Sequence, residues 1–181
     1  MGLVIKGMPY SHVSGFNLVP AEITTAMLPI TLEEAKTFLR VNHDEDDAII
    51  QGYIITAIKD IEDYTHRAVV QRPHTLHLDF ATGKVEIPRP PIVSVDSPTG
   101  LDVHGYETKW IDIEDIEDLT LEYTAGYDPV PDDLQSAILN QLPVYYTQSQ
   151  MAEGLKVMQH SMLAWQTHAI AENYLYHYNT I

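Results

Sequence analysis

The sequence predicts an α+β fold: a bundle of about four helices with a small antiparallel β insertion between helices 2 and 3. Two observations carry this prediction. Apolar residues recur at helical spacing before residue 70 and after residue 131, whereas residues 74–125 alternate polar and apolar side chains between glycine and proline turns. The chain of 181 residues suits one domain, and its 45% of hydrophobic residues can form a core, which argues against a disordered protein.

Residues 1–29 are predicted to form an extended N-terminal arm. Glycine and proline recur along this stretch, and it shows no sustained periodicity. It is too apolar for a solvated tail, so we expect it to lie on a partner surface or on the protein's own core. The arm residues proposed to bind a partner are Val4, Ile5, Tyr10 and Phe16.

The first two helices are predicted within residues 30–70. Thr31 and Glu34 have the spacing of a capping box, which would start a short helix that runs to Arg40. The acidic run Asp44–Asp47 would then open a longer helix with one apolar stripe. The stripe consists of Ile49, Ile50, Tyr53, Ile54, Ala57, Ile58, Ile61 and Tyr64.

The β insertion is predicted to span residues 74–125. Short strands are expected at 74–80, 84–87, 92–96 and 119–124. Thr82-Gly83 is interpreted as a turn, and the prolines at 88, 90 and 91 as a stiff extended link. The adjacent acidic pairs Glu114/Asp115 and Glu117/Asp118 are interpreted as solvated surface.

The third helix is predicted at 131–148 and completes a central domain at 30–150. Pro143 lies inside its apolar stripe and is expected to kink or divide it. Residues 151–181 are predicted to form a last helix and a tail that docks onto another chain. Tyrosine near a chain end favours an interface over a private core. The docking residues proposed there are Trp165, Tyr174, Tyr176 and Tyr178.

The charge of the chain is strongly negative, at -16 from 26 acidic and 10 basic residues. Such a chain repels phosphate, which disfavours sequence-specific DNA binding. The acidity could simply maintain solubility, or it could line a passage that DNA crosses without sticking. The absence of cysteine excludes disulfides and thiolate chemistry. No apolar run reaches the roughly 20 residues that span a bilayer, so we expect a soluble cytosolic protein without a membrane partner.

Two clusters resemble metal sites. The acidic residues Asp44, Asp46 and Asp47 suggest calcium, but an EF-hand loop starting at Asp44 has Ile49 and Ile55 at its diagnostic glycine and glutamate positions. Helix capping explains these carboxylates better. In the second cluster His77 and Asp79 would share one face of a strand while His74 points to the other.

Two converging ligands are too few for zinc. No nucleophile elbow or phosphate-binding loop is present in the sequence. We therefore expect no catalytic, cofactor-binding or metal-binding residue. A small metal-dependent hydrolase that uses His77 and Asp79 remains as an alternative.

Residues 30–146 resemble the phage head–tail connector family, whose members are described as gp6-like or phiE125-type. The resemblance depends on the order and spacing of several segments. They are Ile30–Lys36 with Leu39-Arg40-Val41, the turn Asp44–Asp47, the helix end Ile61–Ala68, the motif Pro90-Pro91-Ile92-Val93-Ser94-Val95, the motif Glu122–Tyr127, and Val130–Leu134 with the helix Ala137–Tyr146.

This resemblance implies a structural virion protein. It implies a homo-oligomeric ring, typically twelve-fold, that joins the portal protein to a tail-completion, stopper or tail protein and lets DNA pass through the lumen without specific binding. It implies a location in the virion neck after assembly in the host cytoplasm, and no catalytic residues. Alternatives are a tail-completion or stopper protein, and a protein-binding module with no virion role. The two ends of the chain do not match the sequence pattern of this family.

Overall fold

The computed structural model describes residues 12–151 and 164–175 of the chain. The strands are β1 (His12–Pro20), β2 (Arg72–Glu86), β3 (Ile92–Ser97), β4 (Val103–Gly105) and β5 (Lys109–Ala125). The helices are α1 (Leu32–Leu39), α2 (Asp47–Thr65), α3 (Asp132–Met151) and α4 (Trp165–Ala171), with short 3-10 helices at Thr25–Met27 and Glu172–Tyr174. The chain divides into two compact units: a sheet unit, which includes 12–22 and His66–Tyr127, and a helical unit, Ile23–Thr65 with Asp128–Leu175.

The predicted fold class is wrong because it underestimates how much of the fold consists of strands. Among the described residues nearly as many lie in strands as in helices, and the strands form a five-stranded antiparallel sheet. The order in this sheet is β1-β2-β5-β3, and β4 pairs with β5. The sheet is therefore a full structural unit that begins near the N-terminus, and not a small insertion in a helical bundle.

Two long strands explain why the sheet is larger than predicted. β2 continues through Thr82-Gly83, the expected turn, because the register shifts between Ala81 and Gly83 and a β-bulge absorbs the irregularity. β5 runs from Lys109, through the acidic pairs that were interpreted as solvated surface. Those acidic side chains are exposed, whereas Ile113 and Leu119 on either side of them are buried. Buried residues of the two strands include Leu76, Leu78, Val85, Ile111, Leu119, Leu121 and Tyr123.

Part of the predicted N-terminal arm belongs to this sheet. β1 pairs antiparallel with β2, and Phe16 lies opposite Leu78. The half-buried side chains of Val13, Phe16 and Leu18 pack against the sheet core. Residues 1–11 of the arm, with Val4, Ile5 and Tyr10, lie outside the described residues.

In the helical unit, α1 packs on α2 and α3, and α3 packs on α2 and α4. The apolar stripe of α2 supplies the buried residues Ile50, Ile54, Ala57, Ile58 and Ile61, whereas Ile49 at its start is 49% exposed. α3 is not divided at Pro143, since a single helix spans Asp132–Met151. None of the described helices is long and apolar enough to cross a membrane.

The capping box predicted for α1 is confirmed. The Glu34 amide donates to Thr31 Oγ1 at 3.2 Å, and the Thr31 amide donates to Glu34 Oε2 at 2.7 Å. These bonds satisfy two backbone donors that the first helical turn cannot satisfy itself. The hydrogen bonds from Thr31 also lower the pKa of Glu34.

We expect Thr31→Ala to lower the free energy of unfolding by about 1 kcal/mol, the usual cost of a lost N-terminal cap. Urea unfolding followed by circular dichroism measures this change. Thr56→Ala is the control because Thr56 lies inside α2, where alanine is the better helix former. A loss in Thr31→Ala no greater than in the control would show that the cap contributes nothing.

Candidate functional site

Three of the segments that carry the family resemblance meet in the sheet unit. After α2 the chain passes through Ala68, whose amide donates to the Pro90 carbonyl at 3.1 Å. The neighbouring Pro91 carbonyl accepts from the Gly126 amide at 2.9 Å, and the Tyr127 amide donates to the Val69 carbonyl at 3.2 Å. We call the residues Ala68–Val70, Pro90-Pro91 and Gly126-Tyr127 the motif junction. It joins three segments that are far apart in the sequence.

Glycine is required at the centre of the motif junction. Gly126 has a φ of +120°, and a Cβ placed on it would lie 2.3 Å from the Val70 carbonyl oxygen and 2.6 Å from the Gln71 Cα. Both are backbone atoms, which cannot rotate away as a side chain can. The glycine of the Glu122–Tyr127 motif is thus explained by backbone packing.

Two further side chains hold the junction. The buried Tyr123 donates its hydroxyl to the Pro88 carbonyl at 2.9 Å, and Arg67 Nη1 donates to the Tyr127 hydroxyl at 3.1 Å. Every group named at the junction thus serves a backbone or packing contact. The family motifs of this region encode the shape of the sheet unit.

His74 lies on the buried face of β2, next to the junction. Its ring stacks on Tyr123 with centroids 5.3 Å apart, and Nδ1 lies 2.9 Å from the Arg72 carbonyl oxygen. Burial, helped by the nearby Arg72 guanidinium, lowers the pKa of His74 to about 4. The ring is neutral at physiological pH and can donate its Nδ1–H to that carbonyl.

The two residues of the hydrolase alternative lie on the exposed face of β2. His77 Nδ1 is 2.9 Å from Thr120 Oγ1 across the β2–β5 ladder. The Asp79 carboxylate lies over the backbone of Gly15 in β1. His74 is on the opposite face, as the alternation predicts. Within residues 12–151 and 164–175 no three His, Asp or Glu side chains come together to hold a metal ion.

The carboxylates of the calcium alternative contact side chains of the helical unit. Lys36 Nζ lies 2.7 Å from both Asp44 Oδ1 and Asp47 Oδ1, and its side chain is only 7% exposed. These hydrogen bonds raise the pKa of Lys36 and lower that of Asp44. Asp46 accepts a hydrogen bond of 2.8 Å from the Tyr146 hydroxyl. The cluster therefore binds α1, α2 and α3 together.

The structure places only part of the predicted partner-binding set. Phe16 is half-buried in β1, and Tyr174 is half-buried beside α4 with its hydroxyl 2.7 Å from Asp133 Oδ1. The backbone of Trp165 begins α4. Tyr176 and Tyr178, like the arm residues before His12, lie outside the described residues. Phe16 belongs to the sheet unit and Tyr174 to the helical unit.

One exposed feature was missed in the sequence. The hairpin of β4 and β5 presents Tyr106 at its tip, where the side chain is 94% exposed. The sequence analysis did not single out this aromatic residue, which follows His104-Gly105. An aromatic residue inside a turn was the available signal, because turns lie on the surface.

Comparison with known proteins shows which family model part of the chain matches and which solved structures share its fold. The model of the phage gp6-like head–tail connector protein family matches residues 29–97. No curated protein matches the chain. The fold is similar to that of a chain in the neck of an empty gene transfer agent particle computed with C6 symmetry, with a TM-score of 0.67, 18% identity, and coverage of 87% of this chain and 94% of that one.

Two further structures share the fold. A chain in the virion of the native gene transfer agent particle has a TM-score of 0.59 and 20% identity, with 87% of this chain and 94% of that chain covered. A chain in the native neck computed with C12 symmetry has a TM-score of 0.59 and 18% identity, with 86% and 94% covered. The resemblance inferred from the sequence is confirmed for residues 29–97, which match the model of the phage gp6-like head–tail connector family.

Proposed function

We propose that this chain is a structural head–tail connector of the virion neck, where it forms a ring between the portal protein and the tail. The observation that carries this proposal is the connector family match over residues 29–97. It is supported by a fold that covers 87% of the chain and is shared with a neck protein. The family is a structural one, and the proposal assigns no reaction to the chain.

The ring is proposed to be a homo-oligomer, with twelve subunits as the expected number. The similar folds come from necks computed with C6 and C12 symmetry, which agrees with six-fold or twelve-fold rings. Each subunit has a net charge of -16, so charge that faces the lumen would keep DNA mobile during its passage. The same charge makes subunits repel one another, and contacts between subunits must offset this repulsion.

The ends of the chain are proposed to dock onto the portal or tail protein. Deleting 1–11 together with 176–181 is expected to abolish binding to the portal while the fold remains intact. These limits spare β1 and also α4, whose Thr167 hydroxyl donates to the Ala137 carbonyl of α3 at 2.9 Å. The deletion removes Val4, Ile5, Tyr10, Tyr176 and Tyr178.

Co-sedimentation with purified portal rings measures this binding, and circular dichroism reports the fold. The matched control replaces residues 1–11 and 176–181 with glycine-serine segments of equal length, which separates side-chain contacts from chain length. Unchanged portal affinity of the deleted chain would contradict docking by the ends. Binding of the intact chain to a tail-completion protein but not to the portal would favour a stopper role instead.

A further inference from the structure

The outer edge of β1 is open for a further strand. β1 stands at the end of the strand order, so it pairs with β2 on one side and with no strand among the described residues on the other. Its register with β2 does not shift between His12, opposite Thr82, and Pro20, opposite His74. None of its nine residues is buried, and Val19 is 50% exposed. A row of backbone donors and acceptors can therefore bind another extended segment.

The β1 edge lacks the charges that usually protect an exposed strand from pairing. Native edge strands often carry charged side chains for this purpose. β1 contains no lysine, arginine, aspartate or glutamate, whereas β3, at the other edge of the sheet, carries the exposed Asp96. The half-buried side chains of Phe16 and Leu18 pack at the rim of the sheet core. An added strand would thus cover apolar surface as well as backbone groups.

Residues 1–11, which directly precede β1, have a sequence that suits this edge. They include the β-branched Val4 and Ile5, which favour strands, and their one charged side chain is that of Lys6. At about 3.3 Å per residue they can extend over roughly 36 Å, which is enough to follow the whole of β1 at roughly 30 Å. All 26 acidic residues of the chain lie from Glu22 onwards. The segment and the edge are therefore both free of acidic side chains.

We infer that residues 1–11 of one subunit pair, as an added strand, with the β1 edge of the next subunit in the ring. A closed ring is built from heterologous contacts, in which two different surfaces of the same chain meet, and this segment and this edge are two such surfaces. Subunits with a charge of -16 repel one another, and a contact without acidic residues joins them where repulsion is weakest. Pairing within one subunit would leave that repulsion uncompensated.

This inference rests on the proposed ring, and it is compatible with docking of the chain ends onto the portal. A strand presents alternate side chains on its two faces. The added strand can therefore cover Phe16 and Leu18 of the next subunit with one face and contact the portal with the other.

Cross-linking tests which subunit supplies the added strand, because the chain contains no cysteine of its own. Full-length Val4→Cys and Val19→Cys chains are co-expressed and treated with a short bismaleimide, so a cross-link between the two variants can form only between subunits. We expect dimers of the two variants on denaturing gels, and a ladder of larger multimers from the double variant that carries both cysteines. Either single variant expressed alone, and Val4→Cys co-expressed with Lys59→Cys on α2, should stay monomeric.

Proline substitution tests whether the contact is made by the backbone. Val4→Pro with Ile5→Pro removes two adjacent amide donors, one of which faces the edge whichever way the strand is turned. We expect this variant to lower the yield of rings at least about tenfold, measured by native mass spectrometry and negative-stain electron microscopy. The matched control is Val4→Thr with Ile5→Thr, which keeps both amides and the β-branched shape and should still form rings. Both variants should keep the circular dichroism spectrum of the original chain.

Three results would overturn the inference while the proposed ring stands. Cross-links confined to single chains of the double variant, identified by mass spectrometry, would show that residues 1–11 pair with β1 of their own subunit. Dimers from Val19→Cys alone would show that two β1 edges pair with each other. Equal ring yields from the proline and threonine variants would show that the segment adds no strand. Absence of rings from the unaltered chain, with and without portal, would instead overturn the proposed ring itself.

Discussion

Gly126→Ala is expected to lower the free energy of unfolding by about 4 kcal/mol or more, a large share of the stability of a typical domain. The added Cβ would meet the Val70 carbonyl oxygen at 2.3 Å, and the φ of +120° is itself unfavourable for alanine. Relief would require moving the backbone of the motif junction, which the amide of Gly126 holds to the Pro91 carbonyl. Chemical denaturation of the purified protein measures the loss.

The control for this prediction is Gly100→Ala. Gly100 also has a positive φ, at +90°, but a Cβ there would meet nothing within 4 Å. This substitution should therefore cost only the backbone strain, about 1–3 kcal/mol. Equal losses at Gly126 and Gly100 would show that close backbone packing does not explain the glycine of the Glu122–Tyr127 motif.

We expect the free energy of unfolding to decrease at acidic pH because of His74. Its pKa is about 4 in the folded protein and about 6.5 when unfolded, so between these values the unfolded chain binds the proton first. The contribution of neutral His74 is complete above about pH 6.5 and is lost as the pH falls towards 4. We expect a decrease of about 2 kcal/mol in the free energy of unfolding between pH 7 and pH 5 from this residue.

Urea unfolding at a series of pH values measures this effect. His74→Gln removes the titrating ring, and its stability should change by about 2 kcal/mol less over the same range. His77→Gln is the matched control, because His77 lies three residues along the same strand but on the exposed face. If His74→Gln and His77→Gln show the same pH dependence, burial of His74 does not govern acid stability.

Local signals in the sequence predicted the helical unit well. The capping box at Thr31 and Glu34 depends on residues three positions apart, and the stripe of α2 repeats within a few turns. Both are visible without knowledge of the fold. Pro143 does not divide α3, which spans it as one helix, and a kink there remains a prediction.

The sheet depends on contacts that local patterns do not contain. In the sequence Gly83 is typical of a turn, but in the structure its pairing with β5 makes it part of a bulge in a continuous strand. The acidic residues after Asp112 conceal the strand character of β5 because adjacent pairs of exposed acids interrupt the alternation of buried and exposed side chains. The strand at 12–20 was interpreted as an arm because its pairing with β2 spans about sixty residues of sequence.

The family motifs were recognised in the sequence, but their physical role was not. The closeness of Gly126 to the Val70 carbonyl cannot be inferred from either segment alone, since it arises only when the loop after α2 meets the end of β5. The exposure of Tyr106 likewise depends on the hairpin that presents it. The partner residues proposed at the chain ends remain predictions.

The interleaving of the two units sets an order in which the chain can fold during synthesis. The sheet unit needs residues up to Tyr127, and the helical unit needs both Ile23–Thr65 and Asp128–Leu175. The ribosome therefore releases every strand of the sheet before α3 exists. The main packing partner of α1 and α2, which is α3, is therefore synthesised only after the whole sheet. Their apolar stripe is exposed during that interval, which makes this stage of synthesis the one most open to aggregation or chaperone binding.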